Sequence, residues 1–250
     1  MARNRVSIII PVYNEKKTVL TLLKNVYKHK LTNVDKEIII VESNSTDGTR
    51  DAVKQFVKGK KNIKLILEKK PEGKGHALRQ GFKSAKGDII LIQDADLEYD
   101  VSDYEKLLRP IIEKKTSFVL GSRHMDGSRN YIWGIRKFKN RMYAFFMNIG
   151  GLTFHAFFNM VFKTKLTDPT TMYKVFRRKL LQNIHLKGNY FELDFELVGK
   201  LIRIGYIPLE IPIKYNSRGV EEGKKVRIMR DMPRYIKTIL ETGFMPKNRL

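Results

Sequence analysis

The feature that most constrains the fold is the aliphatic run Ile89–Ile92, which leads into acidic residues at every second position. A continuous apolar run of this length is typical of a strand buried on both faces of a parallel sheet. Residues two apart in an extended segment point to the same side, so we expect Asp94, Asp96 and Glu98 to converge. Open parallel sheets bind their ligands at this edge, beyond the carboxyl ends of the strands.

Clustered carboxylates at a strand end predict a divalent cation. Mg²⁺ usually takes one or two protein carboxylates and completes its shell with water and substrate phosphates. The acids therefore predict a metal site that serves a phosphate-bearing substrate. A solvated acidic turn is the alternative for an isolated Asp-x-Asp, and the rest of the chain has to decide between the two.

Strands alternate with helices through the first half of the chain. This alternation predicts right-handed βαβ units and an α/β fold, with a Rossmann-like, mostly parallel sheet and helices on both faces. Asn14 is predicted to cap the first helix, and Ser102 with Glu105 to form a capping box for the fourth. The predicted strands are residues 6–12, 37–41, 63–67, 89–92 and 117–121, and the predicted helices end near residues 29, 57, 85 and 113.

The pattern changes after residue 121, where basic and aromatic residues mix. A short strand over 172–176, a helix over 191–204, an edge strand over 206–213 and an amphipathic helix over 230–242 follow. The edge position is predicted from Pro208 and Pro212, because proline cannot donate to a sheet ladder. We predict one α/β domain over residues 1–229, with 230–250 as the terminal helix and tail of the same domain.

The net charge of +23 predicts affinity for polyanions, which include nucleic acid, anionic lipid and phosphorylated small molecules. A dedicated nucleic-acid module is unsupported, because the chain has no Cys/His finger spacing and no RNP-like aromatic strand. A basic nucleic-acid-binding protein that shares an α/β fold is the distant alternative. The chain has no cysteine, which excludes disulfides and thiolate metal sites.

Three further polar segments follow predicted strands or open predicted helices. They are residues 11–15, the turn 42–49, and the glycine-punctuated basic loop 68–76 around Lys74. Backbone N–H groups and lysines at a helix start can bind an anion. Ordinary turns and surface loops use the same residue types, but three polar strand ends at one rim favour a nucleotide pocket.

These segments, in this order, resemble family 2 glycosyltransferases of the dolichyl-phosphate mannose synthase type. The match covers about residues 6–227 and also includes Asp94-Ala95-Asp96, Gly121-Ser122-Arg123, Asp168-x-Thr170, and Arg218 with Lys224-Lys225. The resemblance implies a GT-A fold and an inverting transfer of a hexose from a nucleoside diphosphate sugar. It also implies Mg²⁺ or Mn²⁺ as cofactor.

The resemblance assigns roles to individual residues on the donor side. The nucleotide-binding residues would be Pro11, Tyr13, Glu15, Glu42, Lys74 and Asp94, and the metal ligands Asp94, Asp96 and Glu98. Asp96 would act in catalysis together with Arg218, Lys224 and Lys225, which lie on a glycine-flanked tail suited to close over the diphosphate. Two departures are Glu42-Ser43 in place of Asp-Asp, which leaves the base open, and Met172-Tyr173-Lys174 in place of Gly-Phe-Arg.

The resemblance assigns the acceptor phosphate to Arg123, Arg136 and Asn140. Arginine suits this role because its planar guanidinium group binds phosphate oxygens bidentately. The alternative is that these arginines lie on a solvated surface and bind no ligand. A basic flank precedes the apolar stretch 143–162, which is either an interfacial helix or part of the core. We therefore expect a cytoplasmic enzyme, peripheral to an anionic membrane surface, whose acceptor is a polyprenyl phosphate.

The predicted helix over 191–204 carries Glu192, Asp194 and Glu196. Transfer to a sugar hydroxyl, as in polysaccharide or glycan synthesis, needs a general base, and one of these acids is the candidate. A phosphate acceptor is already an oxyanion and needs none. The acids are then expected to orient neighbouring basic residues instead.

Overall fold

The computed structural model describes residues 4–125, 141–216 and 228–246. The strands are β1 (Asn4–Val12), β2 (Val34–Glu42), β3 (Ile63–Leu67), β4 (Ile89–Ile92), β5 (Phe118–Ser122), β6 (Lys174–Arg177) and β7 (Leu209–Pro212). The helices are α1 (Val19–Lys28), α2 (Thr49–Val57), α3 (Lys74–Ser84), α4 (Tyr104–Ile112), α5 (Arg141–Phe162), α6 (Leu193–Arg203) and α7 (Ile228–Phe244).

The seven strands form one sheet in the order β3-β2-β1-β4-β6-β5-β7. The predicted mostly parallel sheet is confirmed, and β7 is an edge strand as its prolines predicted. Consecutive residues of β1 pack on opposite faces, Ile8 in one hydrophobic cluster and Ile9 in the other. This two-sided burial is the reason that the central strands have continuous apolar sequences.

Strand β6 is antiparallel to both of its neighbours, β4 and β5. Its first residue, Lys174, therefore lies at the edge where β4 and β5 end, and its last residue, Arg177, lies at the opposite edge. The sequence did not predict this direction, because a strand of four residues carries no signal of its orientation.

Helices cover both faces of the sheet, as predicted. Helices α1, α2 and α4 pack on one face, and α3, α5, α6 and α7 on the other. Helix α5 buries Phe154 and Phe158 against Phe195 of α6 and Tyr235 of α7, so this half of the apolar stretch belongs to the core. None of the helices within the described residues combines the length and apolar character needed to cross a membrane.

Both predicted helix caps are wrong. Helix α1 begins at Val19, four residues later than Asn14 would allow, and Asn14 has a positive φ of 48°. At the start of α4 no capping box forms, because Asp100 accepts from the Ser102 N–H over a short 3-10 turn. Glu105 instead accepts a hydrogen bond from the backbone of Thr32 at 2.6 Å.

Candidate functional site

The loops that follow β1 and β2 are joined by hydrogen bonds at the carboxyl edge of the sheet. The Asn14 N–H donates to Ser45 Oγ, and the Thr46 N–H donates to Asn14 Oδ1, both at 2.9 Å. The Glu15 N–H donates to Thr49 Oγ1 at 3.0 Å. The structure therefore brings together the first two of the three polar segments, and Tyr13 of the first segment is exposed.

Glu42 lies fully buried at the end of β2. Its carboxylate accepts from the Ser45 N–H at 2.8 Å and forms an ion pair with Arg50 of α2. Arg50 also donates to the carbonyl of Glu68, which starts the third polar segment. Sequence reasoning missed Arg50, whose only signal was its position in the first turn of the helix that follows the loop.

Lys74 and Asp94 form an ion pair of 2.6 Å between the start of α3 and the end of β4. Burial lowers the pKa of Lys74, but the carboxylates of Asp94 and Asp194 outweigh burial and raise it. Gly75 is required here, because a Cβ would lie 2.7 Å from the carbonyl oxygen of Tyr190. The glycine-rich loop thus brings Lys74 to the acids by packing closely against the loop that precedes α6.

A second buried ion pair lies beside the first. Lys174 Nζ is 3.0 Å from Asp194 Oδ1 and also donates to the carbonyl of Thr171. Burial lowers the pKa of Lys174, and the attraction of Asp194 opposes this without cancelling it. Lys174 and Asp194 thereby join Lys74 and Asp94 in one mixed cluster of two cations and two anions.

The segment after β4 is a turn, so the prediction of an extended segment is wrong. Leu97 has a positive φ of 64°, and the Glu98 N–H donates to Asp96 Oδ1 at 3.2 Å. Glu98 accepts a hydrogen bond from the Tyr215 hydroxyl at 2.9 Å. Its carboxylate does not form a cluster of ligand atoms with those of Asp94 and Asp96. Two carboxylates, Asp94 and Asp96, follow the strand closely, which matches the number that Mg²⁺ commonly takes from a protein.

Thr18 connects the acidic turn to the first polar segment. Its hydroxyl lies 2.8 Å from the carbonyl oxygen of Ala95 and 3.0 Å from a carboxylate oxygen of Glu15. The position of Glu15 is thereby coupled to that of Asp94 and Asp96. No sequence pattern indicates this link, because residues 18 and 95 belong to separate βα units.

Arg123 forms a bidentate ion pair with Asp168, at 2.6 and 2.7 Å. Burial raises the pKa of Asp168, but the guanidinium outweighs it and holds the pKa well below the usual carboxyl range. The ring of Tyr215 lies 5.0 Å from the guanidinium carbon, so Tyr215 connects Glu98 to Arg123. The acceptor role of Arg123 stays a prediction, and a phosphate would meet an arginine already oriented by Asp168.

His124, His155 and Asp168 place three ligand atoms within 4.8 Å of one another, the one such group among the described side chains. Asp168 already accepts four hydrogen bonds, three from Arg123 and one from the Thr170 hydroxyl. A carboxylate has about four acceptor positions, so no lone pair remains for a metal ion. We therefore assign this group to the support of Arg123.

Each acid of α6 has a structural partner. Glu192 accepts from the N–H groups of Asn189 and Tyr190, both at 3.1 Å. Glu196 accepts from the Gly188 N–H at 2.8 Å and pairs with Lys200 at 3.0 Å. With Asp194 paired with Lys174, each of the three candidate bases has at least one partner, while Oε2 of Glu192 is buried without a hydrogen bond to the described residues. The predicted residues Arg136, Asn140, Arg218, Lys224 and Lys225 lie outside the described residues.

A mostly parallel sheet with acids, a lysine and polar loops at the carboxyl ends of its strands defines the class of α/β proteins that bind nucleotides at this edge. Residues 7–184 match the family described as glycosyl transferase family 2. The chain therefore belongs to this family.

Several relatives are about a quarter identical to this chain over the aligned residues. Dolichol-phosphate mannosyltransferase from Pyrococcus furiosus is 24% identical over 224 residues, which cover 89% of this chain and 60% of the relative. A dolichyl-phosphate beta-glucosyltransferase from Trichomonas vaginalis is 26% identical over 234 residues, which cover 89% of this chain and 68% of the relative. The chain thus spans about 60% of the length of the first relative.

Solved structures of glucosyl-3-phosphoglycerate synthase from Mycobacterium tuberculosis share the fold. One, a complex with Mn²⁺, uridine diphosphate and phosphoglyceric acid, gives a TM-score of 0.65 at 17% identity. The superposition covers 97% of this chain and 80% of that chain. At this identity the likeness establishes the fold, and the predicted GT-A fold is confirmed.

Proposed function

We propose that this chain transfers a hexose from a nucleoside diphosphate sugar to a polyprenyl phosphate, with inversion at the sugar carbon. The three loops at the carboxyl edge of the sheet bind the nucleotide, with Pro11, Tyr13, Glu15 and Glu42 toward the nucleoside. Lys74, held at 2.6 Å from Asp94, lies next to the diphosphate and offers it a positive charge. Family membership and the names of the relatives support this assignment.

Asp96 and Asp94 are the proposed holders of Mg²⁺ or Mn²⁺. Their carboxylates are the hard oxygen ligands that these ions prefer, and two of them leave room for water and diphosphate oxygens. When bound, the ion offsets the negative charge that develops on the departing diphosphate. Glu98 accepts a hydrogen bond from the Tyr215 hydroxyl and is not one of the two proposed ligands. Its role is to orient the turn that carries Asp94 and Asp96.

The acceptor assignment rests on one observation: Glu192, Asp194 and Glu196 each already have a cation or backbone N–H groups as partners. A hydroxyl acceptor would need one of them as a general base. A phosphate acceptor attacks as an oxyanion, and it needs cations instead. Arg123, already oriented by Asp168, supplies one, and Arg136 and Asn140 are the further predicted contacts.

The test is to incubate the protein with a panel of nucleoside diphosphate hexoses, a divalent metal and either a short polyprenyl phosphate or a saccharide. We expect a glycosylated polyprenyl phosphate by mass spectrometry, and no product with the saccharide. Transfer to the saccharide alone would reject the proposed acceptor. Failure of every donor to react or bind would reject the proposed donor.

The proposed location is the cytoplasmic surface of an anionic membrane. Helices α5 and α7 pack together, with Gly243 next to Val161, and both present apolar side chains outward. Leu152 and Met160 of α5 are 47% and 70% exposed, and Phe244 of α7 is 75% exposed. An apolar helical face combined with basic charge suits the headgroup boundary of a bilayer.

A soluble acceptor with a hydroxyl group is the second candidate. Its support is the structural neighbour that was solved with phosphoglyceric acid. In that case Asp194 would have to leave Lys174 and act as the base. Replacing Asp194 with Asn would then abolish transfer while donor binding remained.

A further inference from the structure

A cavity of about 470 Å³ lies at the amino-terminal edge of the sheet, opposite to the proposed donor site. Its lining comes from residues that precede β4 and β5 and from the end of β6. The antiparallel direction of β6 is what brings Arg177 and Arg178 to this edge. The volume falls within the range of about 300–1,000 Å³ typical of ligand pockets. None of the residues assigned to the donor, metal or acceptor lines it.

The charge of this cavity is strongly positive. Lys114, Arg177, Arg178 and Lys179 line it, and Asp88 is the one acidic residue among its lining residues. Among the described residues, none of the four cations has a carboxylate within ion-pair distance. Asp88 lies at its edge and accepts a backbone hydrogen bond from Arg5 at 3.3 Å. The cavity therefore carries uncompensated positive charge.

The two arginines are oriented by neutral backbone carbonyls. Arg178 Nε donates to the carbonyl of Gly87 at 2.7 Å, and Arg177 Nη2 donates to the carbonyl of Ile111 at 2.6 Å. A carbonyl fixes the direction of a guanidinium and leaves its full charge, whereas a carboxylate would neutralise it. An arginine whose fork is already fixed loses less entropy when it binds phosphate oxygens.

We propose that this cavity is a second anion-binding site, which takes a chain of linked phosphates. A single phosphate would fill a small part of the volume and face few of the four cations. An oligophosphate can span the cavity and meet the arginines and lysines together, with the Ser117 hydroxyl as an additional donor. Free polyphosphate and the phosphates of a nucleotide share this chemistry.

The test measures binding of inorganic triphosphate by isothermal titration calorimetry, without divalent metal and at about 0.15 M salt, where weak surface attraction is screened. The test variant is Lys114→Gln/Lys179→Gln, and we expect it to keep the fold because both side chains are exposed. Arg178→Gln is added in a second variant. The matched control is Lys24→Gln/Lys58→Gln, which removes the same charge from exposed positions on α1 and beyond α2.

We expect the test variant to bind about tenfold more weakly and the control to bind within about twofold of the unchanged protein. Equal losses in the two variants, or no loss in the test variant, would overturn the proposal. A nucleoside triphosphate then distinguishes the two sources. Tighter binding of the nucleoside triphosphate than of inorganic triphosphate, with a similar loss in the test variant, means that the base contributes, and equal affinities mean that the phosphates alone are recognised.

The outcome is independent of sugar transfer. The cavity variants leave Asp94, Asp96 and Lys74 unchanged, at the other edge of the sheet. Sugar transfer assayed without added polyphosphate is therefore expected to match that of the control variant. Loss of triphosphate binding with retained transfer separates this second site from the proposed donor site.

Discussion

Lys174 Nζ and Asp194 Oδ1 lie 3.0 Å apart, and both side chains are almost fully buried. Removing one partner of such a pair leaves an uncompensated buried charge, which costs about 3–5 kcal/mol. We expect Asp194→Asn to lower the free energy of unfolding by this order, measured by urea denaturation. The double change Lys174→Met/Asp194→Leu should recover much of the loss, because it leaves no unpaired charge.

The same variants distinguish the two acceptor hypotheses. If Asp194 only balances Lys174, the double variant should keep measurable transfer to polyprenyl phosphate. A double variant that is stable, binds donor and transfers nothing would contradict this and favour Asp194 as a base.

The central sheet was predictable because β1, β2 and β4 are buried on both faces and show it as continuous aliphatic runs. The positions of Asp94, Asp96 and Lys74 were also predictable, because the two aspartates follow the end of β4 and Lys74 lies at the start of α3. The partners of Lys174 were not predictable, because Asp194 lies twenty positions away on another element and only folding brings them together. The turn at Leu97 was missed because a positive φ at leucine has no sequence signal.

Asp96→Asn should lower turnover by at least about 100-fold, because the change removes a charge that holds the metal against the departing diphosphate. The thermal midpoint should stay close to that of the unchanged protein. Asp51→Asn, an exposed change of the same chemistry on α2, is the control and should keep full activity. If the rate of sugar transfer is unchanged in excess chelator, the reaction does not require a metal ion.

Arg218→Ala should lower kcat more than it changes donor affinity, because the residue is predicted to contact the diphosphate mainly as charge develops on it. Lys224→Ala and Lys225→Ala should act in the same direction. Steady-state kinetics and calorimetry with the nucleoside diphosphate measure the two quantities. A fall in affinity with unchanged kcat would mean that the tail binds the ground state only.

His155 supplies a pH dependence of stability. Burial lowers the pKa of His155 from 6.5 to about 4, against an opposing pull from Asp168, with Arg123 and His124 adding to the decrease. As the pH falls from 6.5 toward 4, the unfolded chain takes up a proton that the folded chain does not. The folded state therefore loses stability through this window, by about 2–3 kcal/mol at most from this group.

His155→Gln should make the fall in unfolding free energy between pH 7 and pH 4.5 shallower, measured by urea denaturation at both values. Glutamine keeps a donor for the Thr170 hydroxyl, which lies 3.2 Å from His155 Nε2. An identical fall in the variant and the unchanged protein would show that His155 titrates normally.

The outward face of α5 and α7 carries exposed apolar side chains. Ile236, Leu240 and Phe244 recur every fourth residue on α7, so they form one exposed apolar stripe. Leu240→Ser/Phe244→Ser should reduce flotation with vesicles that contain anionic lipid, because burial of apolar surface contributes about 25 cal/mol per Å². Ile207→Ser/Leu209→Ser is the control, since both side chains are exposed at the far edge of the sheet, at the start of β7. Equal flotation of both variants would reject this face as the membrane contact.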